Sequence, residues 1–458
     1  MYTLPKDTKI TNQVLNEVID YNEKVKSRFK MLENYYFGKH GICDRTKDDR
    51  LSNNKVVVNH AKYITDTNVG YLLGNPVDYQ VNNGEHDIEP LLAEYKKQTI
   101  NDLDSEIAKD VSIFGMQYEY VYANENAEPR SCEVDNKNTI IVYDDTVEHN
   151  KLFGLNYREV KKGDKFSYYE IIYADKNEVR TYKSYSRSLQ QVGKSEPHAF
   201  GDVPFICYKN NPELLGDFEP VLSLIDAYNL LQSDRINDKE QLVDAILVLY
   251  GMDFDSEQAD MLRESRMLAD VPVDARAEYL IKTLQEADVD ILRQNIENDI
   301  HKISMVPNMS DTNFVGNSSG VAIRYKLLAF EQNIKNKERY MEKGLMERFK
   351  LYNNFLTTRA KMQEVPVEDV DAIFKRNLPS NDFEISQMIN NLTDVVDTET
   401  LISQLSFVKD ASDIIEAKKQ EDEAKPKSPY DLAYQYNEIA DANVTDNNVG
   451  NQDNKDDE

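Results

Sequence analysis

The spacing of apolar residues changes twice along this chain. Over roughly the first 115 residues they recur every three or four positions, from 116 to about 209 they alternate with polar residues, and from 213 onward the longer step returns. These are the spacings of amphipathic helices and of half-exposed strands. The chain is therefore predicted to fold as an α+β protein that is mainly α, with a block of strands between two blocks of helices.

The first block is predicted to contain four helices. Residues 10–37 carry one apolar stripe and predict a single helix that ends at Gly38. The polar segment 39–54 predicts a mobile loop. Three more helices are expected: one that ends at Gly74, one capped by Asp87, and one between a cap at Asn101 and Gly115.

The middle block predicts an antiparallel sheet built of meanders. Short runs rich in Tyr, Val, Ile and Phe are separated by turns such as KKGD and ADKN, and the alternation indicates that one face meets water. The sequence Gly193-Lys194-Ser195 resembles part of a phosphate-binding loop. However, Ser188 stands where such a loop needs its first glycine. We interpret this segment as an exposed hairpin connection.

Two helices and a loop are predicted next. Asp217 is expected to cap a helix that continues to residue 249 and ends at Gly251, and short mixed elements follow over 252–283. The polar segment 305–318 predicts a loop. The helix before it, 286–304, carries an apolar stripe formed by Val289, Leu292, Ile296, Ile300 and Ile303.

Residues 319–356 predict the longest helix, with apolar side chains at steps of three, four or seven. At about 1.5 Å per residue it would span roughly 57 Å. One small domain cannot cover that length, so subunit–subunit packing is expected, with a coiled-coil arm as the other possibility. Two or three short helices are predicted over 367–420, and the acidic residues 421–458 predict a disordered tail.

The charge balance restricts the ways in which the chain can meet nucleic acid. It has 54 basic and 82 acidic residues, a formal net charge of −28. A protein that holds DNA tightly by its phosphates usually presents a basic face. Two explanations account for the acidic excess. It keeps the protein soluble, or the protein meets DNA in a way in which tight binding would be harmful. No apolar run reaches the roughly 20 residues of a membrane span, and no secretion signal is recognised.

No constellation for chemistry is found in the sequence. The three cysteines and six histidines are scattered, and the motifs of zinc and serine hydrolases are absent. The acidic pairs Asp144–Asp145 and Asp253/Asp255 could hold a divalent ion, but such pairs arise by chance among 82 acids. We therefore expect no catalytic residue, no metal site and no cofactor, and we predict that the protein is not an enzyme.

Three segments occur in a distinctive order. They are KVVVNHAKYITDTNVGYLLGNPVDY at 55–79, the segment from HAFGDVPF to LVLYG at 198–251, and SSGVAIRYKLLAFE at 318–331. With the element pattern of residues 10–420, this ordered set resembles the portal proteins of tailed bacteriophages, of the type found in phages of Gram-positive hosts.

The resemblance implies the phage portal fold and a channel for double-stranded DNA. Such subunits form a ring, usually of twelve, at one capsid vertex, where DNA is packaged and later ejected. Carried onto this chain, the family's parts are a wing at 1–216, stem helices at 217–249 and 286–304, a clip at 250–285, a tunnel loop at 305–318, a long helix joining stem and wing at 319–360, and a helical crown at 361–420.

The resemblance also implies where the ring meets its partners. Short polar and apolar side chains without Lys or Arg would let the tunnel loop contact the duplex without charge-assisted bonds. The expected DNA-facing residues are Val306, Asn308, Ser310, Asp311, Thr312, Asn313, Phe314 and Asn317. The expected motor-docking residues of the clip are Arg263, Arg266, Arg276 and Lys282.

Several partners are implied by the same resemblance: the terminase large subunit, a head-completion or adaptor protein, and the major capsid and scaffolding proteins. The expected location is the portal vertex of the virion, after assembly in the host bacterial cytoplasm and without a membrane. The alternative is a helical scaffold or adaptor protein that forms a coiled-coil oligomer without a channel.

Overall fold

The protein is described from a computed structural model. The structure describes residues 2–48, 51–82, 86–163, 165–185, 188–243, 246–251, 276–280, 286–309, 325–376, 382–393 and most of 395–424. The chain forms two compact units, Met1–Asn377 and Leu378–Glu458. Helices and strands are both present, in agreement with the predicted α+β class. Within the described part of the chain, no helix is both long enough and apolar enough to cross a membrane.

The predicted helix 10–37 is wrong, because it is two helices, α1 (Asn12–Glu23) and α2 (Lys26–Tyr36). The two halves of the apolar stripe enter different cores. Leu15 and Val18 of α1 join the core of a β-sheet, whereas Phe29 and Leu32 of α2 join the helical core. The break next to buried Asn22 allows each half to face its own partner.

Three helices follow, α3 (His60–Leu73), α4 (Glu89–Lys97) and α5 (Ile100–Phe114). The expected end of α3 at Gly74 is confirmed, and Asp87 Oδ1 accepts a hydrogen bond from Glu89 N at 2.9 Å. The expected cap at Asn101 is wrong, because Asn101 lies inside the first turn of α5. Gly115 ends α5 with φ +84°, where a Cβ atom would lie 2.1 Å from Leu214 O.

The strand block forms two sheets rather than one. The first has the order β1-β5-β6-β7-β8-β9, and the second has the order β10-β3-β4. Adjacent strands are antiparallel except β1 and β5. The first ten strands are β1 (Tyr2–Leu4), β2 (Asp78–Val81), β3 (Met116–Ala123), β4 (Pro129–Val134), β5 (Thr139–Asp144), β6 (Lys151–Lys162), β7 (Lys165–Asp175), β8 (Glu178–Ser184), β9 (Leu189–Pro197) and β10 (Phe205–Lys209).

Contacts between the sheets and the helices fix their faces. One face of the six-stranded sheet packs on α1, and side chains such as Ile141 and Ala174 pack against Phe205 of the second sheet. The segment Gly193-Lys194-Ser195 lies inside edge strand β9 and is not a hairpin connection. Its exposed position in a strand agrees with the rejection of a phosphate-binding loop.

The predicted helix 217–249 ends early. A short 3-10 turn (Glu219–Val221) leads into α6 (Leu222–Val243), and residues Ile246–Tyr250 form β11. This strand pairs antiparallel with β12 (Arg276–Leu280). The run Ile-Leu-Val-Leu-Tyr has few helix-specific features, and β-branched and aromatic residues favour a strand once a partner strand is available.

Two long helices follow in the first unit. Helix α7 (Glu286–Ser304) has the predicted bounds. Helix α8 (Leu328–Thr358) has 31 residues and spans about 46 Å at the usual rise. The predicted start at 319–324 lies outside the described residues. The predicted stripe of α8 is buried inside its own chain, at Leu327, Phe330, Ile334, Met341, Leu345, Tyr352 and Leu356.

The segment after α8 departs from the predicted run of helices. Residues Val370–Ile373 form β13, which pairs with β2 and belongs to the first unit. The second unit contains α9 (Asp382–Leu392), α10 (Thr398–Ile402) and α11 (Ala411–Ala424). The predicted tail lies outside the described residues from 425 onward.

Candidate functional site

Helices α6 and α7 pack against each other, and ion pairs between side chains join the C-terminal end of α6 to the N-terminal end of α7. Arg235 of α6 pairs with Glu286 of α7, and Asp290 lies 3.7 Å from the Arg235 guanidinium. On the surfaces of the two helices, five large apolar side chains are 40–57% exposed: Leu230, Ile236, Ile291, Leu292 and Ile303. The predicted stripe of α7 is therefore only partly covered by its own chain, with Ile300 its fully buried member.

The same end of this pair, where α6 ends and α7 begins, leads toward the predicted clip. Strands β11 and β12 bring Tyr250 opposite Arg276 at the two ends of the segment between them. Arg276 is exposed. The other predicted docking residues, Arg263, Arg266 and Lys282, lie outside the described residues.

The first residues of the predicted tunnel loop are fixed by hydrogen bonds. The Tyr63 hydroxyl of α3 donates to Pro307 O at 2.9 Å and accepts from Met309 N at 3.0 Å. His301 Nδ1 lies 2.9 Å from Val306 O, so this ring nitrogen carries the proton. Helices α3 and α7 together hold the start of the loop.

Two of the predicted DNA-facing residues lie in the described part of the loop. Val306 is fully buried in the helical core, so its side chain does not face a channel. The apolar packing that anchors the loop accounts for this difference. Asn308 is half-buried, and its amide donates to Glu297 Oε1 at 3.0 Å. The remaining residues, Ser310, Asp311, Thr312, Asn313, Phe314 and Asn317, lie outside the described residues.

Histidines that are distant in sequence meet beside this loop. The His60 ring is 5.8 Å from the His301 ring and 4.8 Å from the Tyr228 ring, both edge-to-face. Burial, with a smaller contribution from His301, lowers the pKa of His60 to about 4, and Glu297 opposes the shift. The sequence gives no spacing signal for this pair, because its members lie on different helices.

The segment 54–58, which begins at the last residue of the predicted mobile loop 39–54, is held along α6. The amides of Asn54, Val56 and Val58 donate at 2.8–2.9 Å to the side chains of three α6 residues, Asn237, Ser233 and Asn229 respectively. Alternate residues of an extended chain thus meet every fourth residue of a helix. Three small polar residues spaced four positions apart on a helix form a pattern that could have predicted this contact, and the sequence-based prediction did not include it.

A buried ion pair joins α8 to the segment that precedes α6. The Lys337 ammonium of α8 bonds Asp217, which also accepts from Asn68 Nδ2 at 2.7 Å and Ser112 Oγ at 2.5 Å. Asp217 was predicted to cap a helix. It instead organises contacts among α3, α5 and α8 because its carboxylate is buried and needs several donors.

The charged centre of the first unit lies further along α8. The fully buried Arg348 guanidinium bonds Glu119 at 2.7 Å and Asp104 at 2.6 Å, and the Tyr208 hydroxyl donates to Glu119 at 2.6 Å. Burial raises the pKa of Asp104, and Arg348 opposes that shift. These groups have no access to solvent, which makes them a structural centre rather than a site for a ligand.

Among the described residues, no group of three or more His, Cys, Asp or Glu side chains could hold a metal ion. Asp144 of the predicted acidic pair accepts from Thr146 Oγ1 at 2.6 Å and from Asn150 N at 2.9 Å. These hydrogen bonds lower its pKa and organise the loop after β5. The pair Asp253/Asp255 lies outside the described residues.

Comparison with known proteins connects these elements to a family. Residues 15–427 match the family "Phage portal protein, SPP1 Gp6-like". The chain is 24% identical to the portal protein of Bacillus phage SPP1, over 79% of this chain and 75% of that protein. It is 19% identical to the portal protein of Clostridium phage phiCD119, over 87% of this chain and 93% of that protein. The match covers α2 to α11 and most of α1, and the chain belongs to the SPP1 Gp6-like family of phage portal proteins.

Proposed function

We propose that this chain is the subunit of a ring-shaped channel at one capsid vertex, in which neighbouring subunits pack on the helix pair α6–α7. The observation that carries the proposal is the set of exposed apolar side chains on that pair. Such side chains are costly to leave in water, at about 25 cal/mol per Å² of apolar surface. Neighbouring copies in a closed ring would cover them.

The family's parts can be placed on the chain as follows. We assign the wing to 1–216, the stem to α6 and α7, and the clip to the segment bounded by β11 and β12. The tunnel loop is assigned to 305–318 without Val306, and α8 is the helix that joins stem and wing. The crown was predicted at 361–420. The start of the second unit at Leu378 supports placing the beginning of the crown there.

The charge supports a weak, non-specific contact with DNA. Twelve copies of a chain of net charge −28 carry a formal charge of about −336, which opposes adhesion of phosphates. The loop sequence 305–318 contains no Lys or Arg. DNA would therefore move past short polar groups in both directions without forming long-lived ion pairs.

Portal proteins are components of the virion, and we assign this chain to the portal vertex after assembly in the host cytoplasm. Its proposed partners are the terminase large subunit, a head-completion or adaptor protein, and the major capsid and scaffolding proteins. None of these roles requires catalysis by this chain. The coiled-coil alternative is not favoured, since the apolar stripe of α8 is already buried within one chain.

Electron microscopy of the purified full-length protein tests the ring. We expect closed rings with a central hole and a subunit count near twelve. A population of compact monomers, dimers, trimers or rods under assembly conditions would contradict the proposal.

A charge substitution tests the tunnel loop separately. Replacing Asp311 and Asn313 together by Lys adds two cations per subunit, about 24 in a ring of twelve, and should slow DNA movement by adding phosphate contacts. We expect normal rings and fewer filled capsids, with Asp311→Asn as the control that removes charge without adding a cation. Normal packaging by the double-lysine variant would contradict the assignment of this loop to the channel. It would leave the proposal of a ring unaffected.

A further inference from the structure

Two carboxyl groups from different elements meet in a cleft beside α5 and the second sheet. Asp110 lies on α5 and Glu133 lies on β4, and both line this cleft of about 760 Å³. The side-chain amide nitrogen of Gln117, near the start of β3, donates to Asp110 Oδ2 at 3.5 Å and also donates to Glu133 Oε1. The two carboxyl groups are therefore neighbours that share one donor.

The pairing of β3 with β4 and the position of α5 explain why these side chains meet. Glu133 lies directly opposite Glu119 in the antiparallel register, and Gln117 projects from the same face of β3 as Glu119. Helix α5 packs on these two strands, and its Asp104 bonds the same arginine as Glu119 does. Asp110 lies further along that helix, beside the Gln117 amide.

The charge of this carboxyl pair is not balanced by a bound side chain. Among the residues that the structure describes, no lysine, arginine or histidine forms an ion pair with Asp110 or Glu133, and the Lys137 ammonium instead bonds Glu33 Oε1 at 2.7 Å. Burial raises the pKa of Asp110 to about 8, Glu133 adds to this shift, and Lys109 and Lys137 oppose it. Two neighbouring carboxyl groups of this kind need an added proton or an added cation.

The amide between the carboxyl groups has an unused oxygen. Gln117 is 1% exposed, and its Oε1 has no hydrogen-bond partner within the described part of the chain. A buried amide oxygen without a partner is costly in a folded protein. A half-turn about the last side-chain bond exchanges the amide nitrogen and oxygen, and the oxygen then faces the two carboxyl groups.

Three oxygen-bearing groups around one point favour a hard divalent cation. Ca²⁺ and Mg²⁺ bind carboxylate and amide oxygens and complete their shells with water, for which the cleft has room. Softer metal ions prefer thiolate or imidazole, and neither cysteine nor histidine is among the described residues that line this cleft.

We propose that Asp110, Glu133 and Gln117 form a binding site for one hard divalent cation. The cation ties α5 to β3 and β4, with one carboxylate from the helix, one from the strand and the amide oxygen between them. The sequence analysis expected no metal site because these three residues have no recognisable spacing and one of them is an amide. The site lies within one subunit, so it depends neither on the ring nor on the channel.

A proton shared between the two carboxyl groups satisfies the observations less well. It would join one oxygen of Asp110 to one oxygen of Glu133 and remove one negative charge. However, it would leave the buried Gln117 oxygen without a partner, because the amide would still donate to the carboxyl groups. A cation uses oxygens of all three side chains.

The test must separate this site from diffuse binding, because a chain of net charge −28 attracts cations over its whole surface. The site variant is Asp110→Asn with Glu133→Gln, which removes both charges at nearly constant shape. The control variant is Glu106→Gln with Glu125→Gln, which removes two exposed charges, one on α5 and one just after β3. Thermal unfolding of the full-length protein is measured in EDTA and in about 5 mM CaCl₂ or MgCl₂, and calorimetry measures the binding of each cation.

We expect the site variant to unfold in EDTA at the wild-type temperature or above it, because two like charges no longer repel. Either cation should raise the unfolding temperature of wild type and of the control variant by at least about 3 °C, since a ligand that binds the folded chain stabilises it. The shift for the site variant should stay below about 1 °C. Calorimetry should show one site per chain in wild type and in the control variant, and its loss from the site variant.

A third variant tests the amide. Gln117→Met keeps both carboxyl groups and a side chain of similar length, but it lacks the amide oxygen. We expect it to bind the better of the two cations at least tenfold more weakly than wild type, because one of three protein ligands is missing.

Three results would overturn the site. Equal temperature shifts in wild type, site variant and control variant would assign the effect to the acidic surface as a whole. No shift of wild type by either cation from about pH 6 to pH 8 would leave a shared proton as the explanation of the pair. Binding by Gln117→Met as tight as that of wild type would contradict a site built on the amide oxygen.

Discussion

Helices α7 and α8 have similar apolar periodicity but different surroundings. The stripe of α8 is buried by its own chain, from Phe330 to Leu356, whereas Leu292 and Ile303 of α7 are each 50% exposed. Periodicity shows which face of a helix needs cover, and it does not show whether that cover comes from the same chain. The contrast indicates that α8 stabilises the subunit, and it supports the proposal that neighbouring subunits cover α7.

The charged side chains of the two helices differ in the same way, because those of α8 are buried and those of α7 are partly exposed. Arg348 of α8 is fully buried between two carboxylates, and Gly344 lies where a Cβ atom would be 2.3 Å from the Tyr208 ring. The charges of α7, such as Arg293 with Asp290 and Glu297, are partly exposed. Buried charge pairs have large effects when broken, and exposed pairs have small ones.

Arg348→Ala should give the largest loss of stability. It leaves Asp104 and Glu119 buried without their cation, and breaking a buried pair in this way costs about 3–5 kcal/mol. Urea unfolding of the variant should show a correspondingly lower free energy of unfolding. Arg339→Ala, at an exposed position of the same helix, is the control and should change it by no more than about 0.5 kcal/mol. Equal effects of the two substitutions would contradict a structural centre on α8.

Mild acid should weaken the contact between α3 and α7. The pKa of His60 is about 4 in the folded chain, below its ordinary 6.5, so the unfolded chain binds an extra proton between these values. Stability from this residue is present above pH 6.5 and is lost as the pH falls toward 4, with a limit of about 3 kcal/mol. Unfolding of wild type and His60→Phe should be measured from pH 7 to 4. The difference between them should change over this window, and a constant difference would exclude His60 as the cause.

Tyr63→Phe should loosen the start of the proposed tunnel loop at a smaller cost. The substitution removes the hydrogen bonds to Pro307 O and Met309 N and should cost about 1 kcal/mol. Hydrogen exchange of the Met309 amide should accelerate, because its acceptor is the missing hydroxyl. Tyr122→Phe, on the more exposed part of β3, is the matched control. Unchanged exchange at Met309 would show that Tyr63 does not hold the loop.

Leu292→Ser should affect the isolated subunit least. A half-exposed side chain contributes little to the fold of one chain, so the free energy of unfolding of the monomer should change by less than about 0.5 kcal/mol. Its effect should appear in assembly, as fewer rings in sedimentation and electron microscopy. A large loss of monomer stability with normal ring formation would reverse the comparison between α7 and α8.

Several elements were predictable because their cause is local. The bounds of α7, the stripe of α8 and strands such as β5, β7 and β8 follow from periodicity alone. The break between α1 and α2 was not predictable, since one continuous stripe serves two cores. Strand β11 was also missed, because its partner β12 lies 26 residues or more away in sequence and only pairing distinguishes it from a helix end.

The sequence by itself determined the α+β class, the helix periods, the acidic charge and the motifs that resemble phage portal proteins. Only the tertiary structure decided that Asp217 bonds Lys337, that residues 54–58 lie along α6, that Val306 is buried, and that Asp110 and Glu133 meet at the Gln117 amide. Spacing along a chain reports the local backbone period. Contacts between residues far apart in sequence depend on how the elements pack, because burial and hydrogen-bond partners are set by neighbours that the local period does not specify.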